Sequence, residues 1–236
     1  MSAIHPDTFR RRSPIYRILM ECGARFDEVN EAAIAVVVDE ARDPQVATQM
    51  GIADLTPLPR TGFKGRDTPQ WLTSQGVSIP ETPNRARRQH GDGTLVARLS
   101  NDEHVFLSAL DSGSTLIDKL DSAWKIDPER MCFSMPRSET HAWFALSGQC
   151  TPEMLSKVCG IDARLAKFPD GSIAQTSIAR INGILIRNDF NSTPAFYVLA
   201  DSASADFLWP CLLDAMQEFE GAPVGLNALR ALLSVD

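Results

Sequence analysis

At 236 residues, 44% of them hydrophobic and 22% charged, the chain has the make-up of an ordinary folded protein with a sizeable core. A formal net charge of −7 argues against sequence-independent nucleic-acid binding, which needs clustered cations to displace counterions. No apolar run reaches the ~18–20 residues of a membrane span, and the N-terminus lacks the apolar stretch of a secretory signal, so a cytoplasmic location is expected.

Residues 1–12 read as a charged, loosely ordered tail, and residues 13–236 as one domain without repeat, low-complexity segment or linker. Ser13 and Pro14 suit the first positions of a helix whose face is Ile15, Ile18, Leu19 and Cys22, and Gly23 suits its end. A second short helix is expected over residues 44–50, stopped by Gly51. Asp67 can cap a third, with Pro69 early, Gln70 three residues on as in a capping box, Trp71 and Leu72 inward, and Gly76 as the stop. Residues 80–93, rich in proline and charge, read as an irregular loop whose basic run (Arg85, Arg87, Arg88, His90) is solvated. Strands at 94–99 and 104–110 flank a polar turn at 100–103, and residues 114–124 read as a helix with Leu116, Ile117, Leu120 and Trp124 on one side.

Residues 141–146 make an aromatic-rich strand. Thr151, Pro152 and Glu153 open a helix that packs Leu155, Val158 and Cys159 inward and stops at Gly160. Asn182-Gly183 predicts a type I′ turn within a hairpin over residues 173–188. A strand at 195–200 precedes a last amphipathic helix at 201–219, which Pro210 should kink or shift. Strands and helices interleave without a regular β-α-β rhythm, which indicates an α+β domain.

Self-sufficient chemistry is hard to find. There is no dinucleotide fingerprint, P-loop or nucleophile elbow, and Gly91-Asp92-Gly93 is too short for a phosphate cradle. The five cysteines are scattered without C-x-x-C spacing and read as reduced, buried thiols. His5, His90, His104 and His141 form no i, i+4 pair; His141, beside Ala142, Trp143 and Phe144, reads as an interior histidine with one satisfied nitrogen. The acidic pairs Asp102-Glu103 and Glu218/Glu220 fall in a turn and at a solvent-facing helix end, with no sign of burial. These residues name no catalytic group and no metal site.

The order of motifs along nearly the whole chain resembles the folate-binding superfamily of glycine-cleavage aminomethyltransferases. Pro14-Ile15-Tyr16 and Gly23-Ala24-Arg25-Phe26 are similar to its opening helix and Gly-Ala-Arg step. Gly51-Ile52-Ala53-Asp54-Leu55-Thr56 resembles its Gly-Leu-Phe-Asp-Leu-Ser strand, and residues 63–72 its V-x-G-x-D-A-x-x-F-L segment. Gly225-Leu226 with Ala228 and Arg230 partly matches its G-L-x-A-R-x-x-L-R. Gly62-Phe63-Lys64-Gly65, Val96-Ala97-Arg98-Leu99 and His141-Ala142-Trp143-Phe144 resemble the gamma subunits of sarcosine oxidase in particular.

The resemblance implies an aminomethyltransferase folate-binding-domain-like α+β fold, with antiparallel sheets and flanking helices but without the family's C-terminal β-rich domain. It also implies a degenerate folate site. The stretch beginning at Arg187 puts Thr193 where the family has the glutamate that grips the pterin, and the paired aspartates are reduced to Asp92 beside Gly93. A hydroxyl cannot make a carboxylate's bidentate contact with an aminopyrimidine edge. The implied role is a non-catalytic gamma-type subunit of a heterotetramer that oxidatively demethylates sarcosine or a related N-methyl amine. Its partners would be an NAD- and folate-binding alpha subunit, a flavin-binding beta subunit and a zinc-binding delta subunit. The complex would hold FAD, FMN and NAD and use tetrahydrofolate, with no cofactor on this chain. Phe63, Trp71, Trp143 and Trp209 are the candidate interface residues, with core packing the ordinary alternative for each. The alternative is a stand-alone folate-dependent aminomethyl or methyl transferase, in which Asp92 or Asp189 replaces the lost acid.

Overall fold

The computed structural model describes residues 4–111 and 115–234. The first third of the chain runs β1 (Arg11–Arg12), α1 (Tyr16–Glu21), β2 (Arg25–Val29), β3 (Ala32–Val37), α2 (Asp43–Gln49), β4 (Gly51–Asp54), β5 (Arg60–Lys64) and α3 (Thr68–Ser74). The middle carries β6 (Arg85–Arg88), β7 (Leu95–Arg98), β8 (Glu103–Leu107), α4 (Thr115–Ala123), β9 (Phe133–Ser134), β10 (His141–Ser147) and α5 (Thr151–Val158). The last third adds β11 (Ile173–Ile178), β12 (Ile181–Arg187), β13 (Ala195–Asp201), α6 (Ala205–Met216), β14 (Ala222–Pro223) and α7 (Leu226–Ser234). The expected start of α4 at Ser114 lies outside the described residues.

A six-stranded sheet has the order β11-β12-β13-β10-β4-β14, a five-stranded sheet β6-β7-β8-β5-β9, and a small sheet β1-β3-β2. Pairing is antiparallel except at β1–β3 and β14–β4. The two large sheets pack face to face: Leu95, Ala97, Val105 and Leu107 share a core with Trp143, Ala145, Tyr197 and Leu199. On the other face of the six-stranded sheet, Phe144, Phe196 and Val198 meet Leu19, Leu155, Leu208 and Leu212 of α1, α5 and α6. On the outer face of the five-stranded sheet, Phe63, Val96 and Phe106 meet Trp71, Leu72, Ile117 and Leu120 of α3 and α4. Helices therefore cover both outer faces, as the α+β reading expects. β10 and β13 are buried on both sides, which is why they read as continuous apolar runs without alternation.

Several local expectations need correction. Residues 4–12 are paired: Ile4 bridges to Phe26, a 3-10 turn spans Pro6–Thr8, and β1 lies parallel to β3. Main-chain hydrogen bonds to β3 order this charged segment, a cause that composition does not register. Within the expected loop at 80–93, β6 pairs antiparallel with β7, and Arg85 and Arg87 alternate outward from it. An edge strand facing water on one side carries no apolar stripe to announce it. Asp67 stands at the N-cap of α3, but its side chain accepts from Met131 N (2.8 Å) instead of capping. α6 begins at Ala205 after a 3-10 turn at Ser202–Ser204, with Pro210 still inside it.

The hairpin turns at Ala179-Arg180, both at positive φ (47° and 68°), and not at Asn182-Gly183. Asn182 and Gly183 lie inside β12, opposite Ser177 and Thr176. A turn at 182–183 would set Arg187 opposite Ile178; the observed register sets Ile173 opposite Ile186, both buried between the large sheets. Cys159 bridges to Ile178, and Ala179 N bonds Val158 O at 2.8 Å, so α5 also anchors this end. Burial and anchoring outweigh turn preference here. Gly183 serves close packing instead: a Cβ there would sit 3.1 Å from Leu199 O.

Candidate functional site

Residues 188–194 connect β12 to β13. Phe190 and Thr193 exchange main-chain hydrogen bonds of 2.9 Å each, which closes the connection on itself. Arg187, 8% exposed, is held by Asp189 through Nε–Oδ1 (2.9 Å) and Nη2–Oδ2 (2.6 Å), and its Nη1 donates to Leu165 O and Phe168 O. Asp189 Oδ1 also accepts from Ala195 N at 3.1 Å. The structure thus brings Arg187, Asp189 and Thr193 onto one turn, with the acid already engaged by its own neighbours.

Asp92 lies on the other large sheet, in the β6–β7 connection. Its Oδ1 accepts from Thr94 N (3.0 Å) and its Oδ2 from Leu116 N (2.8 Å) at the first turn of α4. Burial opposes ionisation of Asp92, but hydrogen bonds from Leu116, Thr94 and Thr115 together outweigh it and hold the carboxyl below its usual range. This acid caps a helix.

From the Arg187–Thr193 turn, a line of aromatic rings leads inward. Phe190 lies 6.1 Å from Tyr197, and Tyr197 meets Trp143 edge to face at 5.1 Å. Burial pushes the Tyr197 phenol up to about 12, against the opposing effects of Arg88 and Asn188, so it stays protonated. Trp143 Nε1 and Arg88 Nη2 are buried donors without an acceptor among the described residues. The aminopyrimidine edge of a pterin is itself a donor edge and needs a carboxylate opposite it. The groups at these positions are donors, a threonine and two acids already committed to the protein, and they do not supply one.

Phe63, Trp71, Trp143 and Trp209 do not form an interface. All four are buried: Phe63 and Trp71 lie 4.8 Å apart under α3, Trp143 packs on Tyr197, and Trp209 meets Phe144 edge to face at 5.0 Å. Each ring has covered faces within this chain, which is where such large apolar groups gain most. The exposed apolar side chains are elsewhere. Ile126 (86%), Met131 (48%), Phe133 (54%) and Met135 (37%) gather around β9, the terminal strand of the five-stranded sheet. The alternation Met131-x-Phe133-x-Met135 was the readable signal, obscured by the prolines and charges around it.

Two further readings change. Glu103 opens β8 instead of lying in a solvated turn, and pairs with Lys64 Nζ (2.8 Å) and Arg137 Nη2. His104 is wholly buried with neither ring nitrogen partnered, and burial, aided by Arg98, lowers it to about 4. His141 Nδ1 meets Thr140 Oγ1 at 2.8 Å, and burial followed by Arg137 and Arg60 lowers it to about 4. Among the described residues no cluster of three metal-ligating side chains occurs, and no helix is long and apolar enough to cross a membrane.

Comparison with known proteins places the chain. Residues 86–233 match the family described as the GCVT N-terminal domain. A chain of the heterotetrameric sarcosine oxidase from Corynebacterium sp. U-96 aligns over 78% of this chain and 94% of its own, at 21% identity and a TM-score of 0.60. The glycine cleavage system aminomethyltransferase T from Bartonella henselae aligns over 94% of this chain at 13% identity and a TM-score of 0.72. This chain spans 62% of that aminomethyltransferase's length. At these identities the likeness is one of fold. No curated protein matches the sequence significantly.

Proposed function

Since the chain belongs to the GCVT N-terminal domain family, we propose that it is a non-catalytic, gamma-type subunit of a sarcosine oxidase-like heterotetramer in the cytoplasm. The complex demethylates sarcosine or a related N-methyl amine. Its FAD, FMN and NAD and its tetrahydrofolate chemistry reside on alpha and beta partners, and zinc on a small delta partner. This chain contributes contacts.

The observation that carries this reading is the apolar row at β9. Among the described residues, four of the six large exposed apolar side chains fall within residues 126–135, so the exposures concentrate in one segment of the chain. Phe133 opens β9, and Met131 and Met135 flank it in the chain. Beside β9, Lys64 and Arg137 pair with Glu103 and Arg66 with Asp67, while the exposed charges Lys125, Asp127 and Glu129 flank Ile126 in the chain. The engaged acids Asp92 and Asp189 and the threonine at 193 support the loss of folate chemistry. The aligned sarcosine oxidase chain is the shorter of the two, as expected for a small subunit.

Affinity purification of the tagged protein from its native host tests the reading. The wild type should carry flavin absorbance into the eluate, and Phe133→Asp with Met135→Asp should lose it while keeping its circular dichroism and melting temperature. A colourless wild-type monomer would sink the proposal. Saturable heat on titration with a reduced folate would instead favour the stand-alone transferase.

A further inference from the structure

Arg60 is a charged residue on an interior strand, 2% exposed, and no carboxylate lies within ion-pair distance of it among the described residues. Its guanidinium donates to five main-chain oxygens: Thr56, Leu58, Arg137, Ser138 and His141. Asp54, the acid with the largest influence on it, is itself buried, and burial raises its pKa. A positive charge without a contacting counter-ion therefore lies behind Thr56, Ser138 and His141. Those three residues also line a cleft of about 240 Å³.

β1 supplies the facing wall with Arg11 and Arg12. Arg11 stands 3.6 Å from the exposed Glu139 carboxylate and Arg12 stands 3.9 Å from Asp7, both beyond hydrogen-bond range. Arg12 is braced over the Tyr16 ring at 4.8 Å and by Nη1 to Phe9 O, so its guanidinium is held in place before any ligand arrives. Pro14 and Pro57 give the cleft an apolar side. In a chain of net charge −7, this cleft is lined by two arginines, the exposed acid Glu139 and two prolines, and the buried Arg60 guanidinium is bonded to the carbonyls of its lining residues Thr56, Ser138 and His141. It lies at the His141 end of β10, away from the Ser147–Ala195 end that adjoins the degenerate folate turn.

We propose that this cleft binds a small organic carboxylate, the anion between Arg11 and Arg12 and the apolar body against Pro14 and Pro57. Inorganic phosphate offers no apolar body, and a neutral isostere offers no charge, so both discriminate the class.

The test uses the full chain and proton NMR of the His141 ring, assigned with His141→Gln. Benzoate, benzamide and inorganic phosphate are titrated separately. Benzoate should saturate, move the His141 signals and leave those of His104 in place. It should also raise the His141 pKa, because a bound carboxylate adds a negative neighbour to the groups already facing that ring (Arg137, Arg60, Asp201 and Glu103). Arg11→Ala and Arg12→Ala should each weaken benzoate roughly tenfold at unchanged melting temperature, with Arg12→Lys retaining part of the affinity. Equal binding of benzamide, saturation by phosphate alone, absence of saturation, or wild-type affinity in Arg12→Ala would each overturn the proposal.

Discussion

Asp189 grips Arg187 through two parallel hydrogen bonds, and the two side chains are only 18% and 9% exposed. Fork-to-fork geometry of this kind is the strong form of a charge pair, and burial makes each partner depend on the other. The pair occupies the turn that also bears Thr193, so the Asp189 carboxylate is engaged with the protein itself.

Asp189→Ala would leave a buried guanidinium with only two carbonyl acceptors. The expected loss is about 3–5 kcal/mol in urea unfolding, with much of it recovered in Arg187→Met/Asp189→Leu. A single variant as stable as wild type would mean that the guanidinium reorients into water.

Acid should destabilise the fold through two imidazoles, His104, which is wholly buried, and His141, which is partly buried. Both His104 and His141 are lowered to about 4, whereas an unfolded histidine titrates near 6.5. The unfolded chain therefore binds protons that the native chain refuses. Stability is full above the unfolded value and falls as pH drops from about 6.5 toward about 4. For the wholly buried His104 the effect is on the order of 3 kcal/mol, and His104→Phe should flatten the slope measured by denaturant titration across that range.

The hairpin offers a gain. Ala179 and Arg180 both sit in the left-handed region, where a Cβ is strained. Ala179→Asn with Arg180→Gly should stabilise by about 1 kcal/mol, read as a higher melting temperature. Gly183→Val should do the reverse, because Leu199 O stands 3.1 Å from where its Cβ would go.

Aromatic truncation separates core from surface. Trp209→Ala should cost about 3–5 kcal/mol, since it opens a cavity against Phe144. Phe133→Ala should change monomer stability by no more than about 0.5 kcal/mol. The ratio of the two, measured in one denaturant series, checks which aromatics face inward.

Much of the fold was legible in advance. β7, β8, β10, β13, α5 and the Gly23 stop all follow from local period, caps and glycine placement, because those signals are properties of a few consecutive side chains. β1 and β6 escaped notice because their stabilisation is main-chain pairing with β3 and β7, which leaves no apolar pattern in the residues themselves.

Tertiary structure alone decided which groups are committed. That Asp92 caps α4, that Asp189 is closed by Arg187 and Ala195, and that Arg60 is solvated by carbonyls from residues as far apart as Thr56 and His141 are outcomes of chain-distant geometry. The same holds for the four aromatics, candidates for an interface or for the core, which lie in the core. A sequence states which side chains can hydrogen-bond or bury; which do so depends on what the fold brings within about 3 Å of them.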